Sequence, residues 1–179
     1  GFDHRFTIYD TDDQKTLVKD ICKRLQLDPK LYRERSLLAQ ISHAKDQMMT
    51  PEEFEQRNQG DFQKRAVTEV YKEYQAQLRR NNALDFDDLI MMTVELFQKN
   101  PDVLESYQER FRYIMVDEYQ DTNLAQFQFV SLLASKYQNL CVVGDDDQSI
   151  YKFRGANIEN ILGFERVFAD TKVIRLEQN

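Results

Sequence analysis

The spacing of apolar residues changes near residue 82, and this change restricts the fold more than any other feature. Before it, apolar side chains recur every three to four residues, as in Leu17, Ile21 and Leu25, which predicts amphipathic helices. After it, short β-branched segments alternate with helical stretches, a pattern typical of a parallel sheet with helices packed on it. We therefore expect an α/β chain, with an all-helical part over residues 1–82 and an incomplete parallel α/β sheet over residues 83–179.

Capping residues mark the helices of the first part. Asp28 followed by Pro29 predicts a helix start, because proline is favoured at the first helical position. Thr50 and Glu53 have the spacing of a capping box around a proline, which predicts another start. Apolar residues then line one face of a further helix that ends near residue 80: Phe62, Ala66, Val67, Val70, Tyr71, Tyr74 and Leu78. We expect no strand in this part.

The second part is predicted to alternate strands with helices. Asp85 can cap a helix that begins at Phe86, and Asn100 with Pro101 begins the next. Three short apolar segments, at residues 113–116, 140–143 and 172–176, read as buried parallel strands, with helical stretches over residues 124–137 and 158–168 between them.

The charge is distributed unevenly. The formal net charge is −7, with 15 Lys and Arg against 14 Asp and Glu in residues 1–80, which leaves −8 for residues 81–179. A net negative chain lacks the basic footprint of a general nucleic-acid-binding domain. Many of the Asp and Glu residues of the second part lie in three clusters, at residues 85–88, 117–121 and 145–147. Clustered carboxylates are unfavourable unless a cation or a structural role compensates them.

Two polar loops follow neighbouring predicted strands. Asp117 and Glu118 come directly after residues 113–116, at the strand end where open α/β sheets bind ligands. One such acid can hold Mg²⁺ while its neighbour activates a water, although an acid pair can also simply cap a helix. The second loop leads from Gly144 to Gln148, whose amide could reach a terminal phosphate, or it is an ordinary acidic turn.

Aromatic and cationic residues are interleaved just after this loop. Tyr151, Phe153 and Arg154 lie within four positions of one another. Aromatic faces stack on bases and cations hold phosphates, so the pattern is compatible with single-stranded DNA binding, but a half-buried strand has the same pattern.

Taken together, these segments resemble a known family. The chain reads Val116-Asp-Glu-Tyr-Gln-Asp-Thr-Asn123, then Val143-Gly-Asp-Asp-Asp-Gln-Ser-Ile-Tyr-Lys-Phe-Arg-Gly-Ala156, then Leu176-Glu-Gln-Asn179. The order and spacing resemble motifs II and III and the opening of motif IV of the UvrD/PcrA/Rep helicases of superfamily one. Leu84-Asp-Phe-Asp-Asp-Leu89 is similar to the stretch upstream of motif II in that family. The resemblance covers nearly the whole chain.

The resemblance implies a helical subdomain 1B, residues 1–82, and part of a RecA-like motor subdomain 1A, residues 83–179. It implies ATP and Mg²⁺ as cofactors, with Asp117 as a metal ligand, Glu118 activating water and Gln148 contacting the γ-phosphate. It implies that Phe86, Tyr151, Phe153 and Arg154 face single-stranded DNA. The family often has Trp where this chain has Phe153. The parent would move 3′ to 5′ and separate strands at a duplex junction.

The phosphate-binding loop of such a motor is absent from the sequence. No pair of the five glycines has the Gly-x-x-x-x-Gly-Lys spacing. We therefore expect a fragment that does not hydrolyse ATP alone. Two alternatives remain: a non-catalytic DNA-docking or protein-interaction module, and the motor part of a RecB-like helicase-nuclease.

The sequence signals for cellular location and for cysteine and histidine chemistry are weaker than the motifs. The sequence has no export signal and no apolar run near the roughly 20 residues that span a bilayer, so we expect a cytoplasmic protein. Cys22 and Cys141 lie in apolar patterns, which predicts reduced core thiols. His4 and His43 are isolated, which argues against a zinc site.

Overall fold

The computed structural model describes residues 2–145, 168 and 170–174. The chain divides into two compact units, Gly1–Lys99 and Asn100–Asn179. Within the described residues the elements are β1 (Thr7–Ile8), α1 (Thr11–Arg24), α2 (Glu34–Asp46), α3 (Pro51–Arg57), α4 (Phe62–Arg80), β2 (Ala83–Leu84), α5 (Phe86–Lys99), α6 (Pro101–Arg110), β3 (Ile114–Val116), a 3₁₀ turn (Tyr119–Asp121), α7 (Leu124–Ala134) and β4 (Leu140–Val142).

The first unit is built around a helical core. The long helix α4 contributes the largest buried side chains, Tyr71 and Tyr74, and packs with α1, α2 and α3. The apolar faces predicted from the spacing form this core, whose buried members are Val18, Ile21, Cys22, Leu37, Ile41, Ala44, Phe54, Val67, Val70, Tyr71, Tyr74, Leu78 and Ala83. Burial of these apolar surfaces is the main force that holds the helices together.

Side-chain caps fix where these helices begin. The Thr50 hydroxyl accepts from the Glu53 backbone N–H at 3.2 Å, and the Glu53 carboxylate accepts from the Thr50 N–H at 2.8 Å, as the predicted capping box requires. Asp61 caps α4 in a similar way, by accepting from two backbone N–H groups of its first turn. These bonds satisfy donors that a helix start leaves without an intrahelical partner.

Two expectations for the first part are wrong. Thr7 and Ile8 are not helical but form β1, which pairs in parallel with Ala83 and Leu84. The Thr7 N–H donates to the Asn82 carbonyl at 2.9 Å, so this strand depends on a partner far along the chain.

The second error concerns the start of α2. Asp28 and Pro29 do not begin this helix, which starts at Glu34. The Asp28 carboxylate instead accepts from the Lys30 N–H, and the Asp28 carbonyl accepts from the Tyr32 N–H at 2.9 Å. These bonds close a local turn, a conformation that Asp and Pro also favour.

The second unit contains a parallel strand pair and two helices. β3 and β4 align Ile114 with Leu140 and Val116 with Val142. Helices α6 and α7 pack together, and the Gln108 side chain of α6 donates to the Leu132 carbonyl of α7 at 2.8 Å. The sheet thus has two strands within the described residues. Residues 172–174 are not in a strand, whereas residues 158–167 and 175–176 lie outside the described part.

One face of this strand pair is exposed, contrary to prediction. Met115 and Cys141 are paired in register and therefore lie side by side on one face. Met115 is 79% exposed, and Cys141 is exposed as well. The expected burial of strand 113–116 and the expected core position of Cys141 are therefore wrong, whereas Cys22 is buried as predicted.

The predicted α/β class is confirmed, since the chain is mostly helical with short parallel sheets. The boundary between the two compact units falls between Lys99 and Asn100 in the chain, whereas the spacing of apolar residues changes near residue 82. The assignment of subdomains 1B and 1A stays a prediction. Among the described residues, no helix has the length and apolar character needed to cross a membrane.

Candidate functional site

The predicted polar loops leave the same edge of the second unit's sheet. Because β3 and β4 run parallel and in register, Asp117 and the segment 143–145 follow strand ends that lie side by side. Backbone bonds hold the two exits together: the Val143 N–H donates to the Val116 carbonyl at 2.8 Å, and the Tyr119 N–H donates to the Val143 carbonyl at 2.9 Å. The juxtaposition of Asp117 with the Asp145 loop, expected from the sequence, is confirmed.

Glu118 has an unusual backbone conformation at this edge. Its φ of 50° and ψ of 39° place it in the left-handed region, directly before the 3₁₀ turn. Non-glycine residues adopt this region rarely, and such residues cluster at functional sites. The Asp117 carboxylate accepts from the Glu118 N–H at 2.9 Å, and both side chains are exposed. The turn therefore presents two adjacent carboxylates to solvent.

Gln120 joins the two loops, and sequence reasoning assigned it no role. Its side chain is 1% exposed, so its amide needs partners. The amide NH₂ donates to Glu118 Oε2 at 2.6 Å, and the amide oxygen accepts from the Asp145 N–H at 3.1 Å. One buried amide thus holds a carboxylate of the first loop and the backbone of the second. Its position inside the polar segment after a strand was the only sequence signal for it.

The donor set at this edge suits an ion that arrives with a phosphate. Nowhere in residues 2–145, 168 and 170–174 do three or more His, Cys, Asp or Glu side chains form a group able to hold a metal. Asp117 and Glu118 offer carboxylate oxygens, which are the ligands that Mg²⁺ prefers. This ion usually takes one or two carboxylates and completes its shell with water and substrate phosphates. The residues present therefore fit Mg²⁺ bound together with a nucleotide.

Phe86, a predicted DNA contact, lies in the first unit. It is the first residue of α5 and is 56% exposed, while Asp85 before it and Asp88 two residues after it are buried. Asp85 Oδ1 accepts from the Asp88 N–H at 2.8 Å, which confirms the predicted cap of this helix. An exposed ring on a capped helix start is available for stacking.

The remaining predicted site residues lie outside the described part of the chain. They are Gln148, Tyr151, Phe153 and Arg154. Their roles remain predictions from the sequence.

Known proteins resemble this chain along its whole length. The family model for the UvrD/REP helicase N-terminal domain matches residues 1–169. Proteins named ATP-dependent DNA helicase PcrA are 53% identical over 179 residues in Staphylococcus epidermidis and 52% identical in Bacillus subtilis and Staphylococcus aureus. These matches cover 100% of this chain but 24% of each relative.

Proposed function

Because the chain belongs to the UvrD/REP helicase N-terminal domain family, we propose that it is part of an ATP-dependent DNA helicase. The parent would couple ATP hydrolysis to 3′ to 5′ movement on single-stranded DNA and open the duplex at a junction. The observation that carries the proposal is the joined strand exits, where Asp117 and Glu118 lie beside the Asp145 loop. The names of the relatives support the use of ATP and DNA.

In this proposal the carboxylates after β3 serve phosphoryl transfer. Asp117 would hold Mg²⁺ together with the nucleotide phosphates, and the bound ion would supply positive charge beside them. Glu118 orients and deprotonates the attacking water, a task for which its solvent-facing position at the turn is suitable. Gln120 fixes one carboxylate oxygen of Glu118 and leaves the other for the water. Gln148, further along the second loop, contacts the γ-phosphate.

In this proposal, residues other than the carboxylates after β3 contact the DNA. Phe86 presents its ring at the start of α5, and Tyr151, Phe153 and Arg154 follow the second loop in sequence. Aromatic rings accept bases of any identity, as a motor that moves along DNA requires. Because the loop that carries Gln148 leads directly into Tyr151 and Phe153, phosphate contact and base contact are adjacent in the chain.

Polarity is tested with a full-length helicase that contains this chain. Partial duplexes with either a 3′ or a 5′ single-stranded tail are mixed with the protein, ATP and Mg²⁺. We expect unwinding of the 3′-tailed substrate that stops when ATP is omitted. Unwinding of the 5′-tailed substrate alone would contradict the polarity, and the absence of ATP-dependent unwinding would favour a non-catalytic module.

The chain on its own should neither bind ATP tightly nor hydrolyse it. Its sequence holds no Gly-x-x-x-x-Gly-Lys loop, the element that supplies most of the binding to the phosphates. Without a fixed phosphate, the carboxylates have no substrate to act on. Residues 1–179 with Mg²⁺ and single-stranded DNA should give background turnover. DNA-stimulated hydrolysis that Glu118→Gln abolishes would show that other residues complete the site.

A further inference from the structure

A buried lysine in the first unit binds the first turn of α5. Lys45, in the last turn of α2, is fully buried, and its Nζ lies 2.6 Å from Asp85 Oδ2 and 2.8 Å from Asp88 Oδ1. Tyr74 and Gln75 of α4 donate to the same two carboxylates, at 3.0 and 3.1 Å. Charged groups at this depth must be paired, and each carboxylate here has several donors.

The other oxygens of these carboxylates close the helix start. Asp85 Oδ1 accepts from the Asp88 N–H at 2.8 Å, and Asp88 Oδ2 accepts from the Asp85 N–H at 3.3 Å. The pair forms a reciprocal capping box. Lys45 therefore binds both members of the cap at once and restricts the rotation of each carboxylate.

Stability alone is a weak reason for this arrangement. Buried ion pairs often contribute no more than well-packed apolar side chains of similar volume, because desolvation offsets the attraction. Here one cation faces two buried acids, and burial raises the pKa of Asp88 despite the nearby lysine. Buried ionic groups are better attested as devices that specify one geometry.

The residue whose geometry is specified is Phe86. It lies between Asp85 and Asp88, both of which Lys45 holds. Burial raises the pKa of Asp87, and Ser42, three residues before Lys45 on α2, partly offsets this rise. Helix α2 thus fixes the residues on either side of Phe86, while the Phe86 ring remains more than half exposed.

We propose that Lys45 is a positioning residue for DNA binding, which holds Phe86 in the orientation that stacks on a base. This inference rests on the proposed DNA contact of Phe86. It assigns to α2, a helix of the bundle that carries no residue of the nucleotide site, control over a DNA-contacting side chain. Lys45 acts through the cap of α5 and does not itself touch DNA.

A double-mutant cycle in the full-length helicase tests this role. Lys45→Met, Phe86→Ala and the double variant are compared with wild type by fluorescence anisotropy on a labelled oligothymidylate, with melting temperatures measured in parallel. Lys45→Met should weaken binding by about fivefold or more when Phe86 is present and add little when Phe86 is alanine. A merely structural effect would be the same in both backgrounds.

Two further variants control for loss of charge and for failure of Lys45→Met to fold. Lys72→Met removes a positive charge from an exposed pair with Glu55, so it reports non-specific loss of attraction to DNA and should leave the affinity near wild type. If Lys45→Met does not fold, the variant Lys45→Met/Asp85→Asn/Asp88→Asn removes the uncompensated buried acids, and the same cycle with Phe86→Ala applies.

The outcomes separate this inference from the proposed function. If Phe86→Ala weakens DNA binding but the Lys45 effect is fully additive or absent, the positioning role is wrong and the DNA contact stands. If Phe86→Ala leaves the affinity unchanged, both are wrong. If Lys45→Met weakens DNA binding only when Phe86 is present, the positioning role of Lys45 is supported.

Discussion

The Gln120 amide donates a hydrogen bond to Glu118 Oε2 at 2.6 Å and thereby fixes the exposed carboxylate that follows β3. The same amide accepts from the Asp145 N–H after β4. A buried side chain thus connects Glu118, which we propose activates the water, with the loop that leads to Gln148. A displacement of the Asp145 loop should therefore also move the Glu118 carboxylate, and the reverse.

Replacement of Gln120 should therefore lower catalysis more than nucleotide binding. In a full-length helicase, Gln120→Leu removes both bonds, whereas Gln120→Glu keeps an acceptor for the Asp145 N–H but loses the donor to Glu118. Hydrogen bonds to charged groups contribute about 1.5–3 kcal/mol, so we expect kcat for DNA-stimulated ATP hydrolysis to fall roughly tenfold or more in both variants, with KM for ATP little changed. Gln98→Glu, at an exposed position of α5, is the control. Wild-type kcat in both Gln120 variants would contradict the coupling.

Loss of the Phe86 ring should weaken single-stranded DNA binding. We expect Phe86→Ala in the full-length protein to reduce affinity by about 1–3 kcal/mol, the range for one stacked base, with ATP binding little changed. Phe62→Ala is a close control, because Phe62 also begins a helix and is 87% exposed, yet has no proposed DNA contact. Equal losses in the two variants, measured by anisotropy, would count against a specific role for Phe86.

Asp46 should make stability depend on pH in the neutral range. Burial, and secondarily the charge of Asp87, raises the pKa of Asp46 to about 7. The folded chain then keeps a proton that the unfolded chain has released, so the stabilising contribution is present below the unfolded pKa and is lost as pH rises through the folded pKa. The melting temperature should fall as the pH rises from about 4 to about 7, and Asp46→Asn should reduce that fall.

The exposed variant Asp20→Asn is the control for this measurement. It should keep the wild-type pH profile, because its carboxylate is not buried. If the profile of Asp46→Asn matches that of wild type, the raised pKa of Asp46 is contradicted.

Local signals predicted the parts of the structure that depend on near neighbours. Helix spacing, the Thr50 cap and the Asp85 cap were confirmed because each is determined within about four residues. Strand exits at Asp117 and Asp145 followed from the apolar segments before them. The helix start predicted at Asp28 was wrong because Asp followed by Pro favours turns as well as helix starts.

Long-range pairing was not accessible in this way. The strand at Thr7 exists through its partner at Ala83, and the bonds of Gln120 and Lys45 join separate elements. For Lys45 a signal was present, since it follows Ile41 by four residues and so lies on the apolar face of α2. A charge on that face indicates a buried partner, although the sequence does not say which acid provides it.

ATP hydrolysis by Glu118→Gln in a full-length helicase containing this chain tests the central claim most directly. The amide keeps an oxygen for the Gln120 bond but cannot take a proton from water, so kcat should fall by about a hundredfold or more while ATP and DNA affinities are retained. Glu95→Gln, which alters an exposed carboxylate of α5, should hydrolyse ATP like wild type. Hydrolysis at the wild-type rate by Glu118→Gln would contradict the assignment of this edge as the catalytic site.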